Sequence, residues 1–288
     1  MSMSRARSEA PRLATEPPPE ASAARPDSRG LRRAPAPPVL SVVVPVHNEQ
    51  DNILPLLDEI TAALDGVGEF EIVVVDDGST DGTPNVLRAS GRKGLVVVRH
   101  RRNCGQSAAL LSGVRIARGA WIATLDGDGQ NDPADIPKLW RMLGETGDPD
   151  LKMIAGHRKR RQDTWLKRLS SRIANGVRGW LLGDSTPDTG CGLKLFEREL
   201  FLRVPHFDHF HRFLPALIQH GGGRVTSVEV RHRHRRSGRS HYGVGNRLWV
   251  GIVDLVGVMW LKRRSARRAE LLEVTSVDDG VRDSGDGV

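Results

Sequence analysis

Trp121-Ile122-Ala123-Thr124-Leu125-Asp126-Gly127-Asp128-Gly129-Gln130 is an apolar run that closes on two carboxylates one residue apart. A short uncharged run of this kind reads as a buried strand, and the glycines beside the carboxylates let the chain turn tightly where the strand ends. Aspartates at such a corner are hard oxygen ligands. A small open pair suits Mg²⁺ or Mn²⁺, which complete their shells with water and phosphate oxygens. The same residues also make an ordinary solvated turn, so the neighbouring segments decide between the two readings.

Upstream, Val39-Leu40-Ser41-Val42-Val43-Val44 is rich in β-branched residues and ends at Pro45-Val46-His47-Asn48-Glu49. Beyond it Ile53, Leu56, Leu57, Ile60 and Leu64 recur at helical spacing. Phe70-Glu71-Ile72-Val73-Val74-Val75 ends at Asp76-Asp77-Gly78-Ser79, where Ser79 and Thr83 are suited to capping a helix through Val86 and Leu87. Gly94-Leu95-Val96-Val97-Val98 leads to Asn103-Cys104-Gly105-Gln106, which opens a helix through Leu111, Val114 and Ile116. Apolar strands alternating with helices predict an α/β fold, a mostly parallel sheet with helices on both faces. Ligands bind such sheets outside the carboxyl ends of the strands, so the four polar corners are predicted to share one edge.

In order and spacing, these four corners resemble the successive signatures of the inverting family 2 glycosyltransferases, which have the Rossmann-like GT-A fold. The likeness extends from about residue 39 to about residue 262 and is greatest to the polyprenyl-phosphate glycosyltransferases of the dolichol-phosphate mannosyltransferase type. It implies that Pro45, His47 and Glu49 surround a nucleotide, with Asp77 on its base or ribose and Asp76 beside it. It further implies that Asp126, Asp128 and Gln130 hold Mg²⁺ or Mn²⁺ and the sugar-nucleotide diphosphate. Gln106 stands where the family often has lysine, and so is not counted as catalytic.

The second half carries two basic blocks. Ile154-Ala155-Gly156-His157-Arg158 opens the first, which continues through Lys167-Arg168-Leu169-Ser170-Ser171, with Asp188-Thr189-Gly190-Cys191-Gly192-Leu193-Lys194 beyond it. This resembles the acceptor region of the prenyl-phosphate enzymes and implies that Arg158, Arg168 and Ser171 bind the acceptor phosphate. Arg231 to Gly243 matches the pattern Arg-x-x-Gly-x-Ser-Lys-Tyr-Gly when Arg235, Gly238 and Ser240 are aligned, with His241 in place of lysine. Arginine's forked donors suit phosphate oxygens, so Arg235 is predicted to clamp the diphosphate or the acceptor phosphate, with Ser240 and His241 beside it. A solvated basic loop is the alternative. If His241 is the phosphate cation, activity falls as it deprotonates near its ordinary pKa of about 6.5, and His241→Lys flattens that fall.

The implied reaction moves a sugar from GDP-mannose or a UDP-sugar to dolichyl or undecaprenyl phosphate at the cytoplasmic membrane face, as in cell-envelope glycan synthesis. A lipid phosphate is already anionic at neutral pH, so it attacks without the positioned base that a sugar hydroxyl needs. Asp128 is then a metal ligand, not a base, and Arg235 supplies charge.

The formal charge of +8 suits anionic lipid and nucleic acid alike, but the cations concentrate beside the acceptor region. Leu248 to Trp260 and Leu261 form an apolar run of 14 residues, interrupted by Asp254 and flanked by Arg247 and Lys262-Arg263-Arg264. It is too short to cross a hydrocarbon core of about 30 Å and suits an interfacial helix; a buried core or oligomer helix is the other reading. The predicted organisation is a Pro/Ala/Arg-rich disordered arm at 1–38, a catalytic domain at 39–245, a membrane-interface helical segment at 246–272 and an acidic disordered tail at 273–288. The arm lacks the apolar centre of a secretory signal, and Cys104 and Cys191 are too few for a disulfide framework. Peripheral attachment to the inner membrane face follows as the expectation, with a separate membrane protein or a homo-oligomer as possible partners. Three other readings stand beside this one. A family 2 transferase with a saccharide or protein acceptor is the nearest. A nucleic-acid-binding module leaves the acidic corners unexplained, and a phospho-acceptor regulatory domain has no use for Asp126, Asp128, Gln130 and Arg235 together.

Overall fold

The computed structural model describes residues 39–92, 94–158, 179, 181–184, 186–234 and 247–264. Each Val-rich run of the first half forms a strand: β1 (Leu40–Val46), β2 (Phe70–Asp76), β3 (Leu95–Arg99) and β4 (Trp121–Thr124). β1 lies between β2 and β4, β3 flanks β2, and all three pairings are parallel. The carboxyl ends of the four strands therefore share one edge, with Val46 opposite Asp76 and Asp76 opposite Arg99.

Three further strands complete a seven-stranded sheet of order β3-β2-β1-β4-β6-β5-β7. They are β5 (Leu151–Arg158), β6 (Lys194–Glu197) and β7 (Arg224–Val230). β6 runs antiparallel to both β4 and β5, while β7 pairs parallel with β5. The reversal sets Lys194 opposite Thr124, so the segment that enters β6 crosses the same edge as the β4 corner.

Alternation along β1 builds the two cores. Leu40, Val42, Val44 and Val46 face α1 (Ile53–Ala63), burying Ile53, Leu56, Leu57 and Ile60, whereas Val43 belongs to the opposite core with Ala109, Leu110 and Val114 of α3 (Gln106–Ile116). The helix phase of α3 differs from the sequence expectation: Leu110, Gly113 and Val114 are buried, and Ile116 is 52 % exposed. Gly113 sets that phase. A Cβ there would lie 2.4 Å from Val43 Cγ1, so the glycine lets the helix settle close against the sheet.

α2 (Thr83–Ala89) and α4 (Ile136–Thr146) follow the β2 and β4 corners, and α5 (Arg198–Arg203) and α6 (Leu214–His220) follow β6. The last described element, α7 (Arg247–Arg264), is an 18-residue helix. Val258 is fully buried in the core shared with Leu214 and Leu217, with Leu255 and Met259 packed beside it. Asp254 faces the same way and lies 3.4 Å from His209, while the Lys262 ammonium donates to the Leu182 carbonyl. Val253, Val256 and Trp260 point outward, each more than half exposed. Among the described residues, no helix is long and apolar enough to cross a membrane.

Candidate active site

The loops that leave β1 and β2 are stitched to one another. Asn48, held at φ 57°, accepts the Thr80 N–H at 2.8 Å, and its own N–H donates to the Ser79 hydroxyl at 2.9 Å. The Thr83 hydroxyl accepts the Glu49 N–H at 2.9 Å, and the buried Glu49 carboxylate accepts from the Asn52 amide at 2.6 Å. Ser79 and Thr83 thus serve the β1 loop rather than capping α2, as the sequence suggested. The Thr83 N–H is satisfied instead by the Asp81 carboxylate at 2.9 Å. His47 donates through Nδ1 to the Asp77 carbonyl at 2.9 Å.

Two adjacent aspartates end β2 and differ in use. Asp76 is fully buried, accepts the Ser79 N–H at 2.9 Å and lies 3.1 Å from Arg99 Nε. Asp77 reaches across to the loop after β3. Its Oδ1 accepts from His100 at 2.7 Å and from the Cys104 N–H at 2.9 Å, and its Oδ2 accepts the Gly105 N–H at 2.8 Å. Each carboxylate oxygen has two acceptor sites, so Oδ2 keeps one open. Gly78 makes the crossing tight: at φ 66°, a Cβ would stand 2.3 Å from the Arg102 carbonyl carbon.

Gln106, which opens α3, donates through Nε2 to Asp126 Oδ1 at 2.7 Å. The residue set aside as a missing cation is therefore a direct partner of the β4 carboxylate. Asp126 is half-buried at the cavity wall, and desolvation there pushes its carboxyl above the ordinary range, with the neighbouring charge of Asp128 adding to the rise. Asp128 Oδ1 accepts the Gln130 N–H at 3.1 Å. A half-buried carboxylate beside a second one is a hard-oxygen donor set whose mutual repulsion a divalent cation would relieve, so these residues fit such an ion.

Behind Asp126 lies a cavity of about 290 Å³ bordered by Pro45, Gln106, Arg158, Lys194, His211 and Arg212 among others. Arg158 is gripped by Asp188 at 2.6 and 2.9 Å through Nε and one terminal nitrogen. Lys194 donates to the Cys191 carbonyl, and burial lowers its pKa, an effect that the nearby Cys191, Asp126 and Asp188 oppose. His211 shares a 2.8 Å hydrogen bond with Ser107, and burial followed by the charges of Lys194 and Arg212 takes its pKa down to about 3. Gly192 closes the wall, since a Cβ there would stand 2.2 Å from Asp126 Oδ2.

A family model described as glycosyl transferase family 2 matches residues 41–204, which contain this entire edge up to the helix after β6. The chain belongs to glycosyl transferase family 2. Similar members include the dodecaprenyl-phosphate galacturonate synthase of Rhizobium johnstonii, 39 % identical over 79 % of this chain and 68 % of that protein. The undecaprenyl-phosphate 4-deoxy-4-formamido-L-arabinose transferase of Edwardsiella ictaluri is 37 % identical over 71 % of this chain and 63 % of that protein. This family 2 chain thus spans about two thirds of the length of these relatives. Its fold resembles mannosyl-3-phosphoglycerate synthase from Rubrobacter xylanophilus, with a TM-score of 0.58, 21 % identity and coverage of 81 % and 78 % of the two chains. It also resembles glucosyl-3-phosphoglycerate synthase from Mycobacterium tuberculosis in complex with Mn²⁺, UDP-glucose and phosphoglyceric acid, with a TM-score of 0.58, 19 % identity and coverage of 78 % and 79 %.

For this family 2 glycosyltransferase, the described residues gather Pro45, Gln106, Asp126 and Arg158 around one cavity, and hold His47, Glu49, Asp76 and Asp77 in the adjoining β1–β2 network. Arg168, Ser171, Arg235, Ser240 and His241 lie outside the described residues. Sequence reasoning assigned no role to Asp188, Lys194 or His211. The first two were visible inside the Asp188 to Lys194 block; His211 belongs to no motif and reaches the cavity only through folding.

Proposed function

We propose that this chain transfers a sugar from a nucleotide sugar to a polyprenyl phosphate by inverting, single-displacement chemistry. The observation that carries the reading is the convergence of Asp126, Gln106, Arg158 and Lys194 on one cavity at the carboxyl edge of the sheet. Carboxylates and cations facing one space suit a diphosphate held by a metal beside a second phosphate that attacks. The names of the two relatives, both polyprenyl-phosphate transferases, support the same acceptor class.

In this reading Pro45, His47, Glu49, Asp76 and Asp77 bind the nucleoside, and Asp126, Asp128 and Gln130 bind Mg²⁺ or Mn²⁺. A cation bound there neutralises charge on the departing nucleoside diphosphate. Arg158, with Arg168, Ser171, Arg235, Ser240 and His241, receives the phosphates. Asp188 takes one edge of the Arg158 guanidinium through two bonds, which fixes the plane so that the remaining N–H groups can donate without reorganisation. The acceptor phosphate needs no general base, and the neutral His211 lies beside the cavity as a hydrogen-bonding group rather than a charge.

A lipid acceptor calls for work at a membrane. The outward stripe of Val253, Val256 and Trp260, followed by Lys262, Arg263 and Arg264, suits α7 lying on an anionic bilayer at its cytoplasmic face. Nucleotide binding is the first test. Calorimetric titration with UDP and with GDP, in Mn²⁺ and in EDTA, is expected to give metal-dependent binding of one of them and its loss in Asp126→Ala. Metal-independent binding, or none to either nucleotide, would contradict the assignment.

A further inference from the structure

Arg231 and Arg233 open the second basic block, yet their guanidinium groups are taken up by Asp132, Asp135 and Glu59. A separate open cavity of about 780 Å³ is lined by Asp132, Asp135, Lys138, Glu229, Arg231 and Arg233, among others. It is larger than the cavity beside Asp126, but its two arginines and two aspartates are bonded to one another. Arg233 bonds through one terminal nitrogen to Asp132 at 2.5 Å and through the other to Glu59 of α1 at 2.6 Å. Arg231 meets Asp132 at 3.3 Å and Asp135 at 3.4 Å, and its N–H donates to Asp135 at 2.7 Å. Asp132 and Asp135 are 3 % and 5 % exposed, so each would be costly to leave without a cation.

The backbone makes the same connection. The Arg233 N–H donates to the Gln130 carbonyl at 2.9 Å, and Asn131 bridges His232 in antiparallel fashion. Asn131, 2 % exposed, accepts the Asp126 N–H at 3.3 Å, and its own amide is directed at Cys191 Sγ at 3.8 Å. The segment from Asp126 to Asp132 is therefore pinned at both ends: at Asp126 by Gln106 and Asn131, and at Gln130 to Asp132 by residues 231–233.

Resting on the reading of Asp126, Asp128 and Gln130 as the metal-side residues, we propose that Arg233 is a positioning residue. Its guanidinium, by tying Asp132 to Glu59, holds the segment whose main-chain N–H grips the Gln130 carbonyl, so it sets where Asp128 and Gln130 stand, and it touches neither donor nor acceptor. An arginine is required because one planar fork spans two carboxylates on different elements, which a lysine's single ammonium does less well.

The test follows Mn²⁺ binding by the EPR signal of the free ion, in the presence of UDP and separately of GDP, together with amide hydrogen exchange of the metal-free protein. Arg233→Gln is expected to weaken Mn²⁺ binding about tenfold, as changes to groups that orient metal ligands do. Exchange should quicken at residues 126–132 but not in β1 to β3, and Arg233→Lys should recover part of both. Glu59→Gln, which removes one arm while Asp132 stays paired, is expected to give a smaller change in the same direction and covers the case in which Arg233→Gln does not fold. Unaltered Mn²⁺ affinity and unaltered exchange in the folded variants would overturn the inference, as would an equal loss of nucleotide affinity without metal, which would make Arg233 a ligand. If the native protein takes up no Mn²⁺ with either nucleotide, the metal reading itself fails, and the exchange data still decide whether Arg233 positions the loop.

Discussion

Asp126 and Asp128 stand one residue apart but in unequal surroundings: Asp126 has Gln106 on one oxygen and Gly192 against the other, and its carboxyl is pushed up by desolvation and then by Asp128. On the proposed chemistry, Asp128→Ala abolishes turnover while leaving the fold intact, since the only bond it removes among the described residues is the one from the Gln130 N–H; substantial residual transfer would remove it from the site. Gly78 is a purely steric case. Gly78→Ala adds a Cβ at 2.3 Å from backbone in a left-handed conformation, and thermal unfolding is expected to show a loss of about 2 kcal/mol, with the β2–β3 loop contact displaced. His211 has a pH signature. Its folded pKa of about 3 lies below the unfolded value of about 6.5, so between those limits the unfolded chain binds the extra proton and stability rises with pH. On going from pH 7 to pH 5 the native protein should lose about 2 kcal/mol from this group alone, with His206 and His220, also lowered chiefly by burial, acting in the same direction. A stability curve for His211→Gln that stays as steep as the native one would refute this. At this scale the sequence is a partial guide. Ser79 and Thr83 look like caps because capping is local, whereas their true partners, the N–H groups of Asn48 and Glu49, are 31 and 34 residues away. Gln106 likewise reads as a lost cation until α3 places it against Asp126.

At the scale of elements, β1 to β4 are legible because each is an apolar run with a polar stop, and burial on both sheet faces demands that pattern. β6 is not: four residues, Lys194-Leu195-Phe196-Glu197, with a buried lysine, carry too little periodicity to declare a strand. β7 is half exposed along most of its length, which blurs its pattern in the same way. α7 follows the core reading of its sequence on one face only. Val258 packs into the core and Asp254 turns toward His209, while Val253, Val256 and Trp260 remain outward. If that outer stripe meets lipid, Val256→Asp with Trp260→Asp should reduce co-sedimentation with anionic vesicles several-fold and leave nucleotide binding intact. Equal sedimentation of variant and native protein would assign the stripe to another partner.

Over the whole molecule, the parallel order of β1 to β4 turns four separate stretches of sequence into one edge, and the antiparallel β6 brings Cys191, Gly192 and Lys194 to the same place. The sequence foretold the first of these because strand ends are marked locally, but not the second, because the β4–β6 pairing joins residues some 70 positions apart without a motif of its own. Whether this edge passes a sugar to a lipid phosphate is read from the lipid-extracted product. Radiolabelled UDP- and GDP-sugars are offered with undecaprenyl or dolichyl phosphate in Mg²⁺ or Mn²⁺, with EDTA as the control. Label is expected in the prenyl-phosphate fraction from one donor, abolished by EDTA and by Asp128→Ala. Label transferred to a saccharide or protein acceptor, with none in the lipid fraction from any donor, would contradict it.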